Sequence, residues 1–209
     1  VGWVDLTASD VGAVLDDLLA GQGGRYLKSI RHLVHNEEDA HWLGRSDVRH
    51  GLQAVTDRGL AFDLLIRPRE IPASIDLAKA MPGLRLVVDH IAKPAIASNG
   101  YDAWAGLFAG FADLANVSCK LSGMVTEADL SNWSAAGLRP YFEHALAVFG
   151  PERLMVGSDW PVCLVATDYA GSINLVRDAI AHLDPAAQHA VLFETANAFY
   201  RLGLEKTHD

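Results

Sequence analysis

The chain has 209 residues, 50% of them hydrophobic, which suits one domain with a large buried core but is short for a closed α/β barrel. The formal net charge is -9, and the Lys and Arg residues form no basic run, which argues against nucleic acid and anionic membrane surfaces as partners. A small-molecule substrate is the partner that this composition favours.

Short β-rich runs alternate with segments of helical periodicity along the chain. Six runs predict strands, at residues 1–6, 27–33, 61–67, 84–90, 117–122 and 153–159. Seven segments predict helices, at residues 11–19, 48–59, 71–80, 103–115, 138–149, 170–182 and 186–202. Because no linker or low-complexity segment interrupts this alternation, it predicts a single α/β domain over residues 1–209.

The predicted strands are apolar throughout, as in parallel sheets that helices cover on both faces. An open doubly wound sheet and a (β/α)8 barrel both fit this pattern. A nucleotide-binding doubly wound sheet would need a glycine-rich phosphate loop, which the sequence does not contain. In a barrel, the carboxyl ends of the strands meet at one mouth, and polar residues stand at these ends: Arg31, His32, Arg67, Asp89, His90, Lys120, Ser122 and Asp159. We therefore predict an incomplete TIM-type (β/α)8 barrel with six βα units visible.

Four segments carry a family resemblance. They read VVDHIAKPAI (residues 87–96), VSCKLSGM (117–124), RLMVGSDWPV (153–162) and ETANAFYRL (194–202). Together they resemble the lactonase-like branch of the amidohydrolase superfamily, which includes sugar-acid lactonases and pyrone dicarboxylate lactonase. The combination of DHIAKP and GSDWP at this separation is specific to the branch, whereas either motif alone is weak.

Members of this branch open with a strand that ends in His-x-His, and this sequence contains no such motif. Its nearest pair, His32 and His35, would place the two rings on opposite faces of a strand. The run at residues 1–6 resembles the third strand of the family. We therefore expect the first two strands to be missing, in a fragment of a longer protein or in a natural truncation. The exposed sheet edges of such an arc predict association into a homo-oligomer.

Asp159 is the first candidate catalytic residue. The resemblance implies that the matching aspartate is the general base for the attacking water, or a metal ligand where a metal is present. Lactone hydrolysis requires a water that loses a proton as it attacks the carbonyl, and a carboxylate within hydrogen-bond reach can accept this proton. The developing oxyanion also needs a cation, a hydrogen-bond donor or a Lewis acid. The alternative is that Asp159 caps the turn that follows it.

His90 is the second candidate, because the resemblance implies that the matching histidine polarises the scissile carbonyl or binds a divalent metal. The alternative is a structural histidine that is hydrogen-bonded to a neighbouring carboxylate. His90 and Asp159 are two metal ligands, short of the three that a catalytic zinc site usually keeps. The sequence therefore leaves two possibilities, a site with one divalent metal, Zn or Mn, and a site without a metal.

Five further residues are predicted to contact the substrate. Arg31, Arg67 and Lys120 form a possible cationic ring for carboxylate or hydroxyl oxygens, with salt bridges across the mouth as the alternative. Lys93 follows in the loop after His90 and either binds the substrate or is solvated. Trp160 is predicted to shape the pocket wall. Surface positions are predicted for His144, His182, His189 and His208, and Trp104 and Trp133 either pack helices or contact the ligand.

The sequence thus predicts an amidohydrolase that opens the ring ester of a sugar-acid or related carboxylated lactone with a water activated by Asp159. The alternatives are a metal-dependent decarboxylase of the same superfamily and a non-catalytic fragment that needs a partner. The two cysteines, Cys119 and Cys163, lie in apolar or strand-like segments and indicate core residues rather than a disulfide scaffold. This cysteine usage suits a reducing cytoplasm, where we expect the protein. No apolar run reaches the roughly 20 residues of a membrane span, so we expect a soluble chain.

Overall fold

One parallel sheet lies at the centre of the computed structural model, which describes residues 1–205. Its five strands follow one another in chain order: β1 (Ser29–His32), β2 (Ala61–Leu64), β3 (Leu86–Val88), β4 (Val117–Leu121) and β5 (Leu154–Val156). All neighbouring strands pair in parallel, so each connection crosses over through helical segments. This sequential parallel order is the order of strands in a (β/α) barrel wall.

The run at residues 1–6, predicted as the first strand, forms a single parallel bridge between Gly2 and Ile30. A turn follows at Asp5, whose Oδ1 accepts from the backbone N–H of Thr7 at 2.9 Å and from the Thr7 hydroxyl at 2.6 Å. The described residues therefore contain five strands where the sequence predicted six.

One α-helix precedes β1 and the others follow the strands. They are α1 (Val11–Ala20), α2 (Ser46–Asp57), α3 (Ile71–Ala80), α4 (Tyr101–Phe108), α5 (Met124–Glu127), α6 (Ala135–Phe149), α7 (Tyr169–Ile180), α8 (Pro185–His189) and α9 (Thr195–Phe199). The helix predicted at residues 103–115 ends earlier, at Phe108, and gives way to the 3₁₀ turn Ala109–Phe111. The helix predicted at residues 186–202 is continuous up to Phe199, because the π-helical segment Ala190–Glu194 joins α8 to α9.

The two faces of the sheet have different chemistry. The face toward the helices is apolar, and Ile30, Phe62, Leu86, Cys119 and Leu154 are fully buried there. Residues on the inner face alternate with these, as a strand of period two requires. Five are polar or charged, Ser29, Arg31, Asp63, Asp89 and Lys120, and three are apolar, Ala61, Val87 and Met155, which pack against Phe199. The prediction of strands that are apolar throughout is therefore wrong for the inner face.

An aromatic cluster between α4 and α6 anchors the helical layer. Trp104 is fully buried, with its ring centroid 4.7 Å from that of Phe108 and 5.2 Å from that of Tyr141. His144, predicted as a surface residue, is instead half-buried against this cluster, with its centroid 5.2 Å from that of Trp104 and its Nε2 3.1 Å from the carbonyl oxygen of Ala105. Of the two tryptophans left open, Trp104 thus packs helices.

Two other predicted surface histidines and Trp133 differ in their exposure. His182 is exposed and His189 is half-buried, with its Nε2 3.6 Å from Glu194 Oε1. Trp133 is also half-buried, and its indole N–H donates to the carbonyl of Ala166 at 3.1 Å. His208 lies outside the described residues.

Candidate active site

The carboxyl ends of the strands open into a cleft of about 530 Å³. Six of the polar or aromatic side chains that line it are Arg31, His90, Lys120, Ser122, Asp159 and Trp160. A cleft at this end of a parallel (β/α) sheet is where barrel enzymes place their catalytic groups. Lys93 and Arg67, predicted with these residues, do not line the cleft.

The side chains of His90 and Asp159 lie next to each other in the lining of the cleft. His90 Nε2 lies 3.3 Å from Asp159 Oδ1, and both side chains are nearly buried. This separation is longer than the roughly 3.2 Å upper limit of a typical N–H···O bond. His90 Nδ1 lies 2.7 Å from the hydroxyl oxygen of Ser122. If Ser122 donates to Nδ1, the imidazole hydrogen is on Nε2 and points toward the carboxylate.

The two residues sit on strained backbone. His90 begins a run of four residues, His90–Lys93, that all have positive φ angles between 45° and 60°. Asp159 also has a positive φ, of 57°. L-residues rarely adopt this left-handed conformation, and such strain is concentrated at functional sites. The indole N–H of the buried Trp104 holds the run, because it donates to the Ile91 carbonyl at 2.8 Å.

One oxygen of the Asp159 carboxylate has no partner. Asp159 Oδ2 is buried and accepts no hydrogen bond from any group between residues 1 and 205. A buried carboxylate oxygen without a donor is costly, so it attracts a polar ligand or water. The other oxygen faces His90, and the Asp159 residue lines the cleft.

An ionic network lies beneath this pair on the inner face of the sheet. Lys120 Nζ is 2.6 Å from Asp63 Oδ2 and 2.7 Å from Asp89 Oδ1, and both carboxylates are fully buried. Arg31 Nη1 is 3.2 Å from Asp89 Oδ2. The hydroxyl of Tyr200 donates to Asp63 Oδ2 at 3.0 Å. Lys120, predicted as a substrate contact, is therefore held between two carboxylates.

Burial and charge shift the pKa values of this network. Burial lowers the pKa of His90, and the carboxylates of Asp89 and Asp159 offset this only in part. Burial would raise the pKa of Asp89, but nearby charges, that of Lys120 first, outweigh it and the net pKa is lowered. Burial opposes the charge of Lys120, yet Asp89 and Asp63 together raise its pKa. The imidazole of His90 is thus neutral, although its neighbours Lys120, Asp89 and Asp159 are charged.

A second ionic contact fixes the loop after β3. Lys93 Nζ forms an ion pair with Glu127 Oε1, and Arg67 Nη1 lies 3.2 Å from Glu127 Oε2. The Lys93 and Glu127 side chains are each 12% exposed, so this pair is shielded from solvent. Glu127 on α5 therefore joins the end of the left-handed run to the loop that follows β2.

Comparison with known proteins agrees with this geometry. A sequence profile of the family described as Amidohydrolase matches residues 1–202. The chain belongs to the amidohydrolase family. It is 35% identical over 206 residues to an L-fucono-1,5-lactonase of Burkholderia ambifaria, a match that spans 97% of this chain and 70% of that protein. An L-rhamnono-gamma-lactonase of Scheffersomyces stipitis is 23% identical over 66% of this chain and 47% of that protein.

The fold of this amidohydrolase is confirmed by a solved relative. A crystal structure of a zinc-bound amidohydrolase from Burkholderia multivorans matches with a TM-score of 0.87 and 33% identity. The match covers 96% of this chain and 72% of that one. The barrel architecture and the family predicted from DHIAKP and GSDWP are therefore both confirmed.

The described residues do not complete a metal site. His90 and Asp159 supply two ligand side chains, and no group of three or more His, Cys, Asp or Glu residues between positions 1 and 205 is arranged to hold a metal ion. Catalytic zinc sites usually have three protein ligands. The residues of this amidohydrolase chain therefore do not by themselves fit the divalent metal considered from the sequence.

Several site residues were not predicted from the sequence. Asp63 lies in the apolar run FDLL, where one carboxylate among buried neighbours was the only signal. Tyr200 and Glu127 gave no signal of their own, because their partners are distant in the sequence. Ser122 was predicted at the mouth, but its contact with His90 was not. His32 stacks on Trp42 at 4.3 Å between ring centroids, on the opposite side of β1 from Arg31.

In the part of the chain that the structure describes, no helix is long and apolar enough to cross a membrane.

Proposed function

We propose that this amidohydrolase opens the ring ester of a sugar-acid or related carboxylated lactone, with Asp159 as the general base. The observation that carries the proposal is the buried, unpartnered Oδ2 of Asp159 beside His90 in an open cleft. The lactonase names of the relatives supply the substrate class. A small molecule is the partner in this reaction.

In the proposed first step, a water bound at Asp159 Oδ2 loses a proton to this oxygen as its own oxygen attacks the lactone carbonyl carbon. The carbonyl π electrons move onto the carbonyl oxygen and give a tetrahedral oxyanion. In the second step the oxyanion reforms the carbonyl and the bond to the ring oxygen breaks. The proton on Asp159 then passes to this departing oxygen, so one lactone and one water give one hydroxy acid.

His90 serves as the electrophile in this proposal. Its Nε2–H is long for a hydrogen bond to Asp159 Oδ1, at 3.3 Å, so a substrate carbonyl oxygen can compete for it. Because burial lowers the pKa of His90, the imidazole is neutral at pH 7 and does not neutralise the base. Ser122 keeps the ring oriented through Nδ1.

Arg31 and Trp160 are the proposed contacts for the rest of the substrate. The Arg31 side chain is 42% exposed at the cleft, and its pairing with Asp89 leaves other guanidinium N–H groups free for a carboxylate. Trp160 is 61% exposed and offers a flat wall to a sugar ring. Lys120, Lys93 and Arg67 are proposed to act indirectly, because each is bound to a carboxylate of the chain.

The proposal is tested by the ring opening of L-fucono-1,5-lactone, followed as proton release in a weak buffer with a pH indicator. We expect saturable hydrolysis well above the uncatalysed rate in buffer. We also expect no decarboxylation of 2,6-dihydroxybenzoate, which tests the alternative decarboxylase activity. Lactone turnover at the buffer rate by a folded protein, over a panel of sugar-acid lactones, would contradict the proposal. Size-exclusion chromatography of the same sample tests the predicted homo-oligomer.

A further inference from the structure

A second depression lies at the opposite end of the sheet from His90 and Asp159. It has a volume of about 260 Å³ and is built where three strands begin, since Lys28 precedes β1, Leu60 precedes β2 and Arg85 precedes β3. Tyr200 and Arg201, which follow α9, close its other side. The depression adjoins the far end of the cleft, because Lys28 and Tyr200 line both.

The depression concentrates positive charge. Five of the chain's 17 Lys and Arg residues line it: Arg25, Lys28, Arg58, Arg85 and Arg201. No Asp or Glu among residues 1–205 lines it. The whole chain carries a formal charge of -9, whereas the lining of this depression has five basic residues and no acidic one. Its local charge is therefore opposite in sign to the net charge of the chain.

Three of the five cations have structural partners. The Arg25 guanidinium donates to the hydroxyl of Tyr26 and lies 4.5 Å from the centroid of its ring. Arg58 makes a bidentate ion pair with Asp16, with both N···O distances at 2.7 Å. Arg85 donates to the carbonyl of Gly59 at 2.6 Å and to that of Phe199, which ties the end of α9 to the start of β3. These contacts account for the positions of Arg25, Arg58 and Arg85 without any ligand.

The side chains of Lys28 and Arg201 have no structural partner of this kind in the described chain. Neither side chain forms a hydrogen bond or an ion pair with another residue of the described chain. Burial lowers the pKa of Arg85, and the like charge of Arg201 lowers it further, so the two guanidinium groups are close enough to repel. A Cβ built on Gly59, whose carbonyl accepts from Arg85, would lie 3.6 Å from Arg201 Nη1. The Arg201 head group thus lies near Arg85, and no Asp or Glu between residues 1 and 205 forms an ion pair with it.

We propose that this depression binds a small phosphate-class oxyanion with two or more negative charges. Such an anion relieves the repulsion between Arg85 and Arg201, and guanidinium groups match the spacing of phosphate oxygens. Lys28 supplies a further ammonium charge at the strand end. The volume of about 260 Å³ exceeds the roughly 30 Å³ of one water several-fold, so a molecule of the size of pyrophosphate fits. The proposal is independent of the lactonase proposal.

The test is thermal unfolding of the chain with inorganic pyrophosphate against sodium chloride of equal ionic strength. We expect a saturable rise of Tm of about 2–4 °C that chloride does not reproduce. The rise is lost in the double variant K28Q/R201Q. The matched control is K79Q/R177Q, which removes two exposed cations of α3 and α7 and keeps the wild-type shift.

Isothermal titration calorimetry with pyrophosphate supplies the second measurement, and affinity should fall at least about 10-fold in K28Q/R201Q. An equal response in K28Q/R201Q and wild type, or no wild-type response beyond that to chloride, would overturn the proposal. If circular dichroism shows that the double variant does not fold, the single variants K28Q and R201Q replace it. Unchanged pyrophosphate affinity in both would likewise overturn it.

Discussion

His90 Nε2 lies 3.3 Å from Asp159 Oδ1, although the two residues follow different strands, β3 and β5, with β4 between them. Both have left-handed backbone, with φ angles of 52° and 57°. Ser122, at the end of the intervening strand, contacts the other nitrogen of the imidazole. Three consecutive strand ends therefore contribute to the proposed catalytic pair, and its geometry depends on the loops that hold this backbone.

Gly123 is predicted to be required for the position of His90. It has a φ of +68°, and an added Cβ would lie 2.8 Å from His90 Cβ and Cγ. Gly123→Ala should cost about 1–2 kcal/mol of stability from the left-handed backbone and should also lower kcat, because the imidazole must move. The measurements are urea unfolding and lactone hydrolysis.

Gly203→Ala is the matched control for this substitution. Gly203 has a nearly identical φ of +67°, and its added Cβ would meet nothing within 4 Å. We expect a similar backbone penalty with unchanged kcat. Equal kcat values for the two variants would contradict a role of Gly123 in placing His90.

Lys120→Met is predicted to be among the more destabilising substitutions in the chain. It leaves the buried carboxylates of Asp63 and Asp89 without their shared cation. Breaking a buried ion pair in this way typically costs about 3–5 kcal/mol. Glu143→Gln, which removes the exposed pair with Arg139 on α6, should change the free energy of unfolding by less than about 0.5 kcal/mol. The measurement is the free energy of unfolding of both variants in urea. Similar small decreases in the two would show that the buried ionic network contributes little to stability.

Glu127→Gln is predicted to lower activity more than stability. Glu127 binds Lys93, the last residue of the left-handed run, and Arg67. Loss of its charge should let the run relax and displace His90, with a fall in kcat of roughly 10-fold, since small misplacements of catalytic groups are expensive. The comparison is with Glu143→Gln, which should keep wild-type kcat. A variant that loses stability but not kcat would assign Glu127 a purely structural role.

The stability of the fold is predicted to fall in mild acid. Burial lowers the pKa of His35, the charges of Arg67 and Lys93 act in the same direction, and the hydrogen bond to the Leu65 carbonyl and the charge of Glu70 oppose them. The unfolded chain therefore takes up a proton near the ordinary pKa of 6.5 more readily than the folded chain does. The stability that neutral His35 contributes is present above this value and is lost as the pH falls toward the lowered pKa.

The measurement is the urea midpoint at about pH 7 and at about pH 5. His35→Gln should lose less stability over this interval than wild type does, although buried His90 keeps part of the dependence. His50→Gln, which changes an exposed histidine of α2, should follow the wild-type curve. Identical pH dependence of all three proteins would contradict the assignment to His35.

The alternation of strands and helices was predictable because each element carries its own period. Helix α3 begins and ends where the apolar spacing of residues 71–80 places it. The strand ends also placed His90 and Asp159 at one mouth, since a parallel sheet gathers its carboxyl ends. Local patterns were sufficient for these features.

Features that depend on distant contacts were not predictable. The role of Asp63 requires Lys120 and Tyr200, which approach it only in the folded sheet. The left-handed run His90–Lys93 contains no glycine that would announce it, and Trp104 stabilises it from α4. The run at residues 1–6 has strand composition but forms only one bridge, and the Asp5 side chain binds Thr7 in a local turn at its end.

The most direct test of the proposed function is the rate of L-fucono-1,5-lactone hydrolysis by Asp159→Asn and by Asp178→Asn, an exposed aspartate of α7. The amide keeps the shape of the carboxylate but cannot accept the proton from water. We predict a fall in kcat of roughly 100- to 10,000-fold for Asp159→Asn, with unchanged thermal stability or a gain, and wild-type kcat for Asp178→Asn. Wild-type kcat in folded Asp159→Asn would contradict the account.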